Sequence, residues 1–211
     1  AGKVLLPFLA SRGVTKLDML MISHGDQDHS GGYETVVNRF PVHRLLGFRG
    51  DPCRHGERWR WGVAELLVIN GPGSGESDRN DGSCALLVSW RDHAVLLTGD
   101  VSRAREREWV RYWRETLQAS VLLLPHHGSQ TSTSHALLKW VRPKWAIISR
   151  SRGNPFRHPH DEVVDRVAKT ELASLLDTAV HGAIELSDGE GGRLTARTRR
   201  TAYTPYWLKL P

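Results

Sequence analysis

His24-Gly25-Asp26-Gln27-Asp28-His29 places four metal-competent side chains within six residues, directly behind the apolar run Leu17 to Ile22. Imidazole and carboxylate are the ligands of a hydrolytic divalent-metal site, and alternating spacing lets one short loop aim several of them at one point. A bound divalent cation lowers the pKa of water from ~15.7 to about 7, so hydroxide becomes available near neutral pH. Gly31-Gly32 follow, where the backbone can turn tightly before a helix. An ordinary polar turn can also carry acids and histidines. It would not, however, be followed by the further acid and histidine clusters found downstream. The expected chemistry is hydrolysis.

Outward from this loop, short apolar runs bounded by turn residues predict buried strands at Leu17–Ile22, Val63–Ile69, Ala85–Trp90, Ala94–Leu97, Val121–Leu124 and Trp145–Ile148. Helical patterns cover Tyr33–Phe40, Arg103–Leu117, Ser134–Val141 and Asp161–Thr170, the last two starting at a Ser or Asp suited to capping. Residues Gly182 to Trp207 read as two or three strands with Gly-rich turns at Asp188–Gly192, and Gly71 to Asp78 as a flexible loop. Strands mixed with helices imply a layered α/β or α+β domain. The remaining polar clusters fall at strand ends: Asp100 after Leu96-Leu97-Thr98-Gly99, His126-His127-Gly128-Ser129 after Leu122-Leu123-Leu124-Pro125, and His158-Pro159-His160 after Trp145–Ile148. That placement lets distant segments converge on one edge of the sheets.

A chain of 211 residues with 39% hydrophobic and 25% charged residues fits one large soluble domain, read as residues 1–211. No apolar stretch reaches the ~18 residues of a membrane span, and no signal-peptide pattern opens the chain. The start at Ala1-Gly2-Lys3, without Met, suggests a fragment of a longer protein. The net charge of +6 rests chiefly on arginine, which suits phosphate contacts but is equally at home on solvated faces. Cys53 and Cys84 lack Cys-x-x-Cys spacing; two buried thiols and one disulfide both stay open.

Taken in order, these motifs resemble the metallo-β-lactamase superfamily, and more narrowly the C-terminal domain of the ComEC competence proteins. The superfamily's His-x-His-x-Asp-His loop has its counterpart in His24, Asp26, Asp28 and His29, with Asp26 where a second His is usual, as is typical of the ComEC branch. The match continues through Asn80-Asp81-Gly82-Ser83, Leu97-Thr98-Gly99-Asp100, His126-His127-Gly128-Ser129, and Asn154 with His158-Pro159. It includes Leu5-Leu6-Pro7-Phe8-Leu9 and so covers nearly the whole chain. The resemblance implies a four-layer αββα sandwich of α+β class. Its opening strands would be missing, because the chain begins after the segment that normally precedes the His loop. Asn80 stands where many relatives have a third His.

The resemblance also implies two divalent metal ions, with manganese, zinc and magnesium as the choices and no organic cofactor. His24 and Asp26 would serve one position, Asp28, His29 and His127 the other, with Asp100 bridging. The extra carboxylate at Asp26 makes the site harder than a His-rich zinc site, which favours manganese or magnesium. Asp28, His126 and His158 are the expected catalytic residues: His126 would touch a phosphate oxygen, with His126 and His127 exchangeable in these roles, and His158 would protonate the leaving oxygen or bind phosphate. Ser129, Asn154 and Asn80 are expected near the same oxygens. His43, His55, His93, His135 and His181 lack supporting context.

Arg103, Arg105, Arg107, Arg111 and Arg114 are interspersed with Glu106, Glu108 and Glu115, so a solvated, salt-bridged helix face is expected there. Arg193, Arg197, Arg199 and Arg200 lack acidic neighbours and are the better candidates for phosphate contact. Competence kinship implies a nuclease degrading one DNA strand during uptake, tied to a membrane channel domain of the same longer protein at the bacterial inner membrane. Two other readings remain beside it. A small-ester or lactone hydrolase of the same fold would be insensitive to salt, whereas DNA cleavage weakens with salt through counterion release. A non-catalytic DNA-binding module would retain DNA without cutting it.

Overall fold

The computed structural model describes residues 1–71, 80–171 and 173–202. The proposed loop at Gly71–Asp78 and the last part of the expected C-terminal strands therefore lie largely outside the described residues. Helix α1 (Leu5–Ser11) leads into β1 (Leu17–Ile22), α2 (Gln27–Ser30), α3 (Tyr33–Val37) and β2 (Val42–Gly47). Then come β3 (Arg58–Trp61), β4 (Ala64–Asn70), β5 (Ala85–Trp90), β6 (His93–Leu97), α4 (Arg103–Trp113), β7 (Val121–Leu123), α5 (His135–Val141), β8 (Trp145–Ile148), α6 (Asp161–Ala168) and β9 (Ser174–Asp177). A one-turn α7 (Thr178–His181), the hairpin β10 (Ile184–Asp188) and β11 (Leu194–Thr198), and α8 (Arg199–Ala202) complete the described chain.

Strands β3 to β9 form one seven-stranded sheet in sequence order. Pairing is antiparallel from β3 to β6 and parallel from β6 to β9. Each parallel step needs a crossover, and α4, α5 and α6 supply them on one face. Their buried side chains Trp109, Leu137, Leu138, Val163 and Val167 pack on Leu67, Leu87, Leu96, Leu122 and Ile148. Burying side chains of this size contributes roughly 1.5–3 kcal/mol apiece. Parallel register also aligns the carboxyl ends of β6, β7 and β8, so the loops after them share one edge.

The opposite face carries the second β layer in two pieces. The parallel pair β1–β2 contributes Met19, Met21 and Leu46 against Leu66, Val68 and Leu86, while the hairpin β10–β11 packs Leu186 and Leu194 near Val121, Trp145 and Ile147. Since the inner face of β1–β2 is taken by the large sheet, the α2–α3 crossover covers its outer face. The result is the expected αββα order. Cys53 and Cys84 are joined in a disulfide with Cα atoms 5.8 Å apart, which settles the open choice between thiols and a bond.

Strands β1, β5 and β8 have the expected bounds. Strands β2, β3 and β9 and helix α1 were not expected. Edge strand β3 alternates Arg and Trp with its side chains largely exposed, and α1 buries no residue, so neither carries the core pattern that strand and helix searches use. The helix expected over Arg103–Leu117 leaves α geometry at Trp113 and ends in a tighter turn, because Arg114 adopts φ 44°. Ser134 caps α5 by accepting from the Leu137 N–H at 3.1 Å, but Asp161 lies in the first turn of α6 and does not cap it.

Glu106 requires a correction. Expected on a solvated face, it is fully buried, and its carboxylate accepts from the Thr133 and Ser134 N–H groups at 2.5 and 2.7 Å. Burial pushes its pKa up, against the lowering effect of those hydrogen bonds. Arg166 of α6 donates to the Ser132 and Thr133 carbonyls from the other side. Together they clamp the segment that follows the histidine pair. Arg105 and Glu108 do form the expected surface pair, at 2.6 Å.

Candidate metal centre

Three strand ends and the loop after β1 build one polar cluster. The chain bends at Gly25-Asp26, where Asp26 is extended, and α2 then turns it so that Asp28 and His29 face the same point. Ser30 closes the turn by donating to the Gly25 carbonyl at 2.9 Å. After β6, Gly99 takes φ +61°, and a Cβ there would lie 2.5 Å from that of Ser83. Only glycine lets the strand end approach Ser83 so closely, and Asp100 is thereby delivered into the cluster.

The histidine pair after β7 sits in an unusual backbone. His126, His127 and Gly128 all adopt positive φ, at 51°, 54° and 83°. Left-handed conformation costs a non-glycine residue roughly 1–2 kcal/mol, and such strain persists only where surroundings enforce it. The enforcement is visible: His126 N–H donates to the Gly99 carbonyl at 3.1 Å, Ser129 N–H to His126 at 2.8 Å, and His160 N–H to Gly128 at 3.0 Å. Ser132 Oγ donates to the Pro125 carbonyl at 2.7 Å, adding to the Glu106 and Arg166 clamp.

Asp100 is the hub. Its Oδ1 lies 3.2 Å from His29 Nε2, and its Oδ2 lies 3.7, 3.9 and 3.9 Å from the Nε2 atoms of His127, His24 and His126. Asp28 Oδ2 is 3.3 Å from His127 Nε2 and 3.8 Å from His29 Nε2, while Asp26 Oδ2 is 3.6 Å from His24 Nε2. One ligand atom from each of Asp28, His29, Asp100 and His127 fits within 4.8 Å of all the others. His127, His24 and His126 stand around the second oxygen of Asp100, with Asp26 beside His24.

The far sides of the rings are occupied. Ser23 Oγ is 3.1 and 2.9 Å from Nδ1 of His24 and His29, Ser83 Oγ is 3.3 Å from His24 Nδ1, and the Ser149 carbonyl is 2.7 Å from His127 Nδ1. Ser83 Oγ also accepts from the Asp100 N–H at 3.0 Å. Outer partners of this kind fix ring orientation and tautomer in metal sites. With protons on Nδ1, the Nε2 lone pairs face the carboxylates. His24 Nε2 is buried and has no hydrogen-bond partner among the described residues. A buried polar atom in that condition costs stability unless something else pairs with it, and a cation among Asp26, Asp100 and His126 is what its chemistry fits.

The electrostatics agree with strong coupling. Burial disfavours the His29 imidazolium, but the hydrogen bond and charge of Asp100 outweigh it and raise the pKa. Burial would raise Asp100, yet His29, His127 and His126 together hold its carboxyl below the ordinary value. His24 is lowered by burial and then by the like charge of His29. His158 is lowered by burial and by the neighbouring His126, His160 and His127, which keeps it neutral. Its ring lies 5.6 Å from that of His126, at the rim of the cluster.

Other expected site residues fall elsewhere. Ser129 is buried, its hydroxyl 3.0 Å from that of Thr131, so it serves its own turn. Asn154 donates to the His158 carbonyl and accepts from the Phe156 N–H, both at 2.9 Å, bracing the rim loop. The Asn80 carbonyl accepts from the Ser83 N–H at 3.0 Å, shaping the turn that presents Ser83. Arg199 lies 3.6 Å from Glu185, and Arg200 donates to carbonyls of α7, so these two partly serve the fold; Arg197 is exposed on β11. Arg193 lies away from the Asp100 cluster. The hairpin turn bearing it docks on Trp90 and His93, at the end of the sheet opposite Asp100. His55, His93 and His181 make structural contacts to Tyr112 and Trp113, to Gly192 and to Asp177. Ser23 and Ser83 were missed; serine carries no ligand signal, and only adjacency to His24 hinted at Ser23.

A family profile described as the metallo-beta-lactamase superfamily matches residues 1–152. The chain belongs to the metallo-β-lactamase superfamily. Competence protein ComA of Neisseria gonorrhoeae is 34% identical over 98% of this chain, and Recombination protein 2 of Haemophilus influenzae is 33% identical over 98%. The chain spans only 30% and 26% of those relatives' lengths. Among solved structures, a metal-dependent hydrolase from Parabacteroides distasonis superposes with TM-score 0.51 at 13% identity, covering 76% of each chain, which speaks to the fold alone. This is a metallo-β-lactamase-fold chain related to competence proteins. No helix among the described residues is long and apolar enough to cross a membrane.

Proposed function

We propose that this chain is the divalent-metal-dependent nuclease domain of a longer competence protein, cleaving phosphodiesters of DNA during uptake. The observation that carries this reading is the convergence of Asp28, His29, Asp100 and His127, from three separate loops, within 4.8 Å. Kinship to the two competence and recombination proteins supplies the biological setting. The Cys53–Cys84 disulfide suits an oxidising compartment.

Asp28, His29 and His127 would hold one divalent ion, His24, Asp26 and His126 the other, with Asp100 shared between them. When bound, such ions supply a hydroxide nucleophile near neutral pH and stabilise negative charge on the leaving oxygen. His126 thus moves from the phosphate-contact role first expected to that of a ligand, since its Nε2 faces Asp100. Ser23, Ser83 and the Ser149 carbonyl hold the rings in register, so little reorganisation is needed on metal binding. His158, neutral and at the rim, offers an N–H to a non-bridging or leaving oxygen of the substrate.

The test is degradation of a labelled linear DNA by the chain and by Asp28→Ala, with manganese, magnesium or zinc added in turn. The reading expects metal-dependent loss of DNA by the wild type, weakening steeply with salt, and none by the variant. Equal degradation by both rejects the assigned site. Salt-insensitive hydrolysis of small esters alone would assign a different substrate.

A further inference from the structure

The rim loop between β8 and α6 carries an unburied aromatic that nothing so far explains. Phe156 is 70% exposed. Single exposed apolar residues are common and usually need no account, but this one is not loosely placed. The Asn154 side chain accepts from the Phe156 N–H and donates to the His158 carbonyl, fixing the loop at both sides of the ring. The Phe156 ring stacks near-parallel to that of His158, with centroids 5.9 Å apart and planes 21° from each other. His158 in turn meets His126, whose Nε2 is 3.9 Å from Asp100. A line of rings therefore runs from solvent to the hub of the metal centre. One face of Phe156 is turned to His158, and its exposure leaves the other to solvent. Arg157, next in sequence to Phe156, is exposed on the same loop, as is Arg152, whose Nε donates to the Ala179 carbonyl at 3.1 Å.

Aromatic faces beside cations are how proteins hold unpaired nucleic acid, since every base has a π-face and the arginines follow the backbone. Bases in a duplex are already stacked on each other and offer no free face. We propose that Phe156 is a binding residue for a single-stranded substrate, stacking an unpaired base next to the phosphodiester being cleaved and so selecting unpaired over duplex DNA. The proposal rests on the nuclease reading and names the form of its substrate.

Equilibrium binding of a fluorescein-labelled single strand, by anisotropy at fixed salt, would be compared for wild type, Phe156→Ala and Phe156→Trp. A second strand of equal length built wholly of abasic sites carries the same charge and no base. Stacking of one base predicts that Phe156→Ala weakens binding of the normal strand by about 5- to 150-fold, the range found for removal of one stacking side chain. Phe156→Trp should retain it, and all three proteins should bind the abasic strand alike. Equal binding of the normal strand by wild type and Phe156→Ala overturns the proposal, as does an equal loss on both strands. Because the readout is binding, it stands apart from catalysis: absence of DNA cleavage by the wild type with every metal would reject the nuclease reading, whereas the strand comparison would still judge Phe156.

Discussion

The two ends of the seven-stranded sheet treat their polar side chains in opposite ways. At the carboxyl ends of β6, β7 and β8, imidazoles crowd around a buried Asp100 with their Nε2 atoms facing acids at 3.2–3.9 Å, and His24 Nε2 lacks a hydrogen-bond partner among the described residues. At the other end, charges pair off in place: Arg91 and His93 approach Asp188 at 3.4 and 3.8 Å, and Lys144 covers the Trp145 ring at 4.1 Å. Among the described residues, the same sheet thus bears one end with a candidate metal-ligand cluster and one whose charged groups pair with each other. Excess ligand capacity is what separates a site from a surface.

The largest effect should follow from removing the hub. Asp100→Asn should lower metal affinity by more than the about 10- to 100-fold expected for loss of an outer partner, with DNA degradation abolished, as read by metal titration and a gel assay. Next is the cross-link behind the site. Cys53→Ser with Cys84→Ser should cost about 3–4 kcal/mol for a separation of 31 residues, measured by denaturant unfolding. Ser83→Ala removes a hydroxyl that touches both His24 and the Asp100 N–H, and should lower metal affinity about 10- to 100-fold while the fold persists.

A smaller effect concerns pH. Because Asp100 raises the pKa of His29, the stabilisation of the metal-free chain is fully present below the ordinary imidazole value and is lost as pH rises through the raised one. Metal binding requires that same proton to leave. The lowered His24 and His158 act in the opposite sense, so the His29 contribution is read as a difference: between about pH 6 and 8, the melting temperature of the wild type relative to His29→Gln should fall with pH in chelator and rise with pH in manganese. Parallel trends would break the coupling. The smallest effect is expected at the opposite end, where Arg193→Ala should change stability by less than about 0.5 kcal/mol and leave DNA affinity unmoved. A large loss there would erase the contrast between the two ends.

Much of the site was legible because imidazoles and carboxylates are rare enough, when clustered at strand ends, to announce a ligand set. His24, Asp26, Asp28, His29, Asp100, His126 and His127 all reach one cluster. What could not be read depends on three-dimensional approach. Ser83 matters only because Gly99 lets two strand ends touch. Glu106 sits in an Arg-Glu alternation that mimics a solvated helix, and its burial comes from loop N–H groups that lie 27 and 28 residues ahead. That Arg193 lies away from Asp100 could not be read, because the direction of the β10–β11 hairpin is a tertiary fact. In the fold, the mostly apolar β5 and the wholly apolar β8 were plain, whereas β3, exposed at the sheet edge, had no core pattern to find.

The Asp100 end of the sheet is proposed to hold two metal ions. Equilibrating the chain and its Asp100→Asn variant with manganese or zinc, removing free ion and counting bound metal by mass spectrometry tests it most directly. Two ions per wild-type chain and fewer in the variant are expected; equal content in both, or none in either, would rule out a two-metal site there.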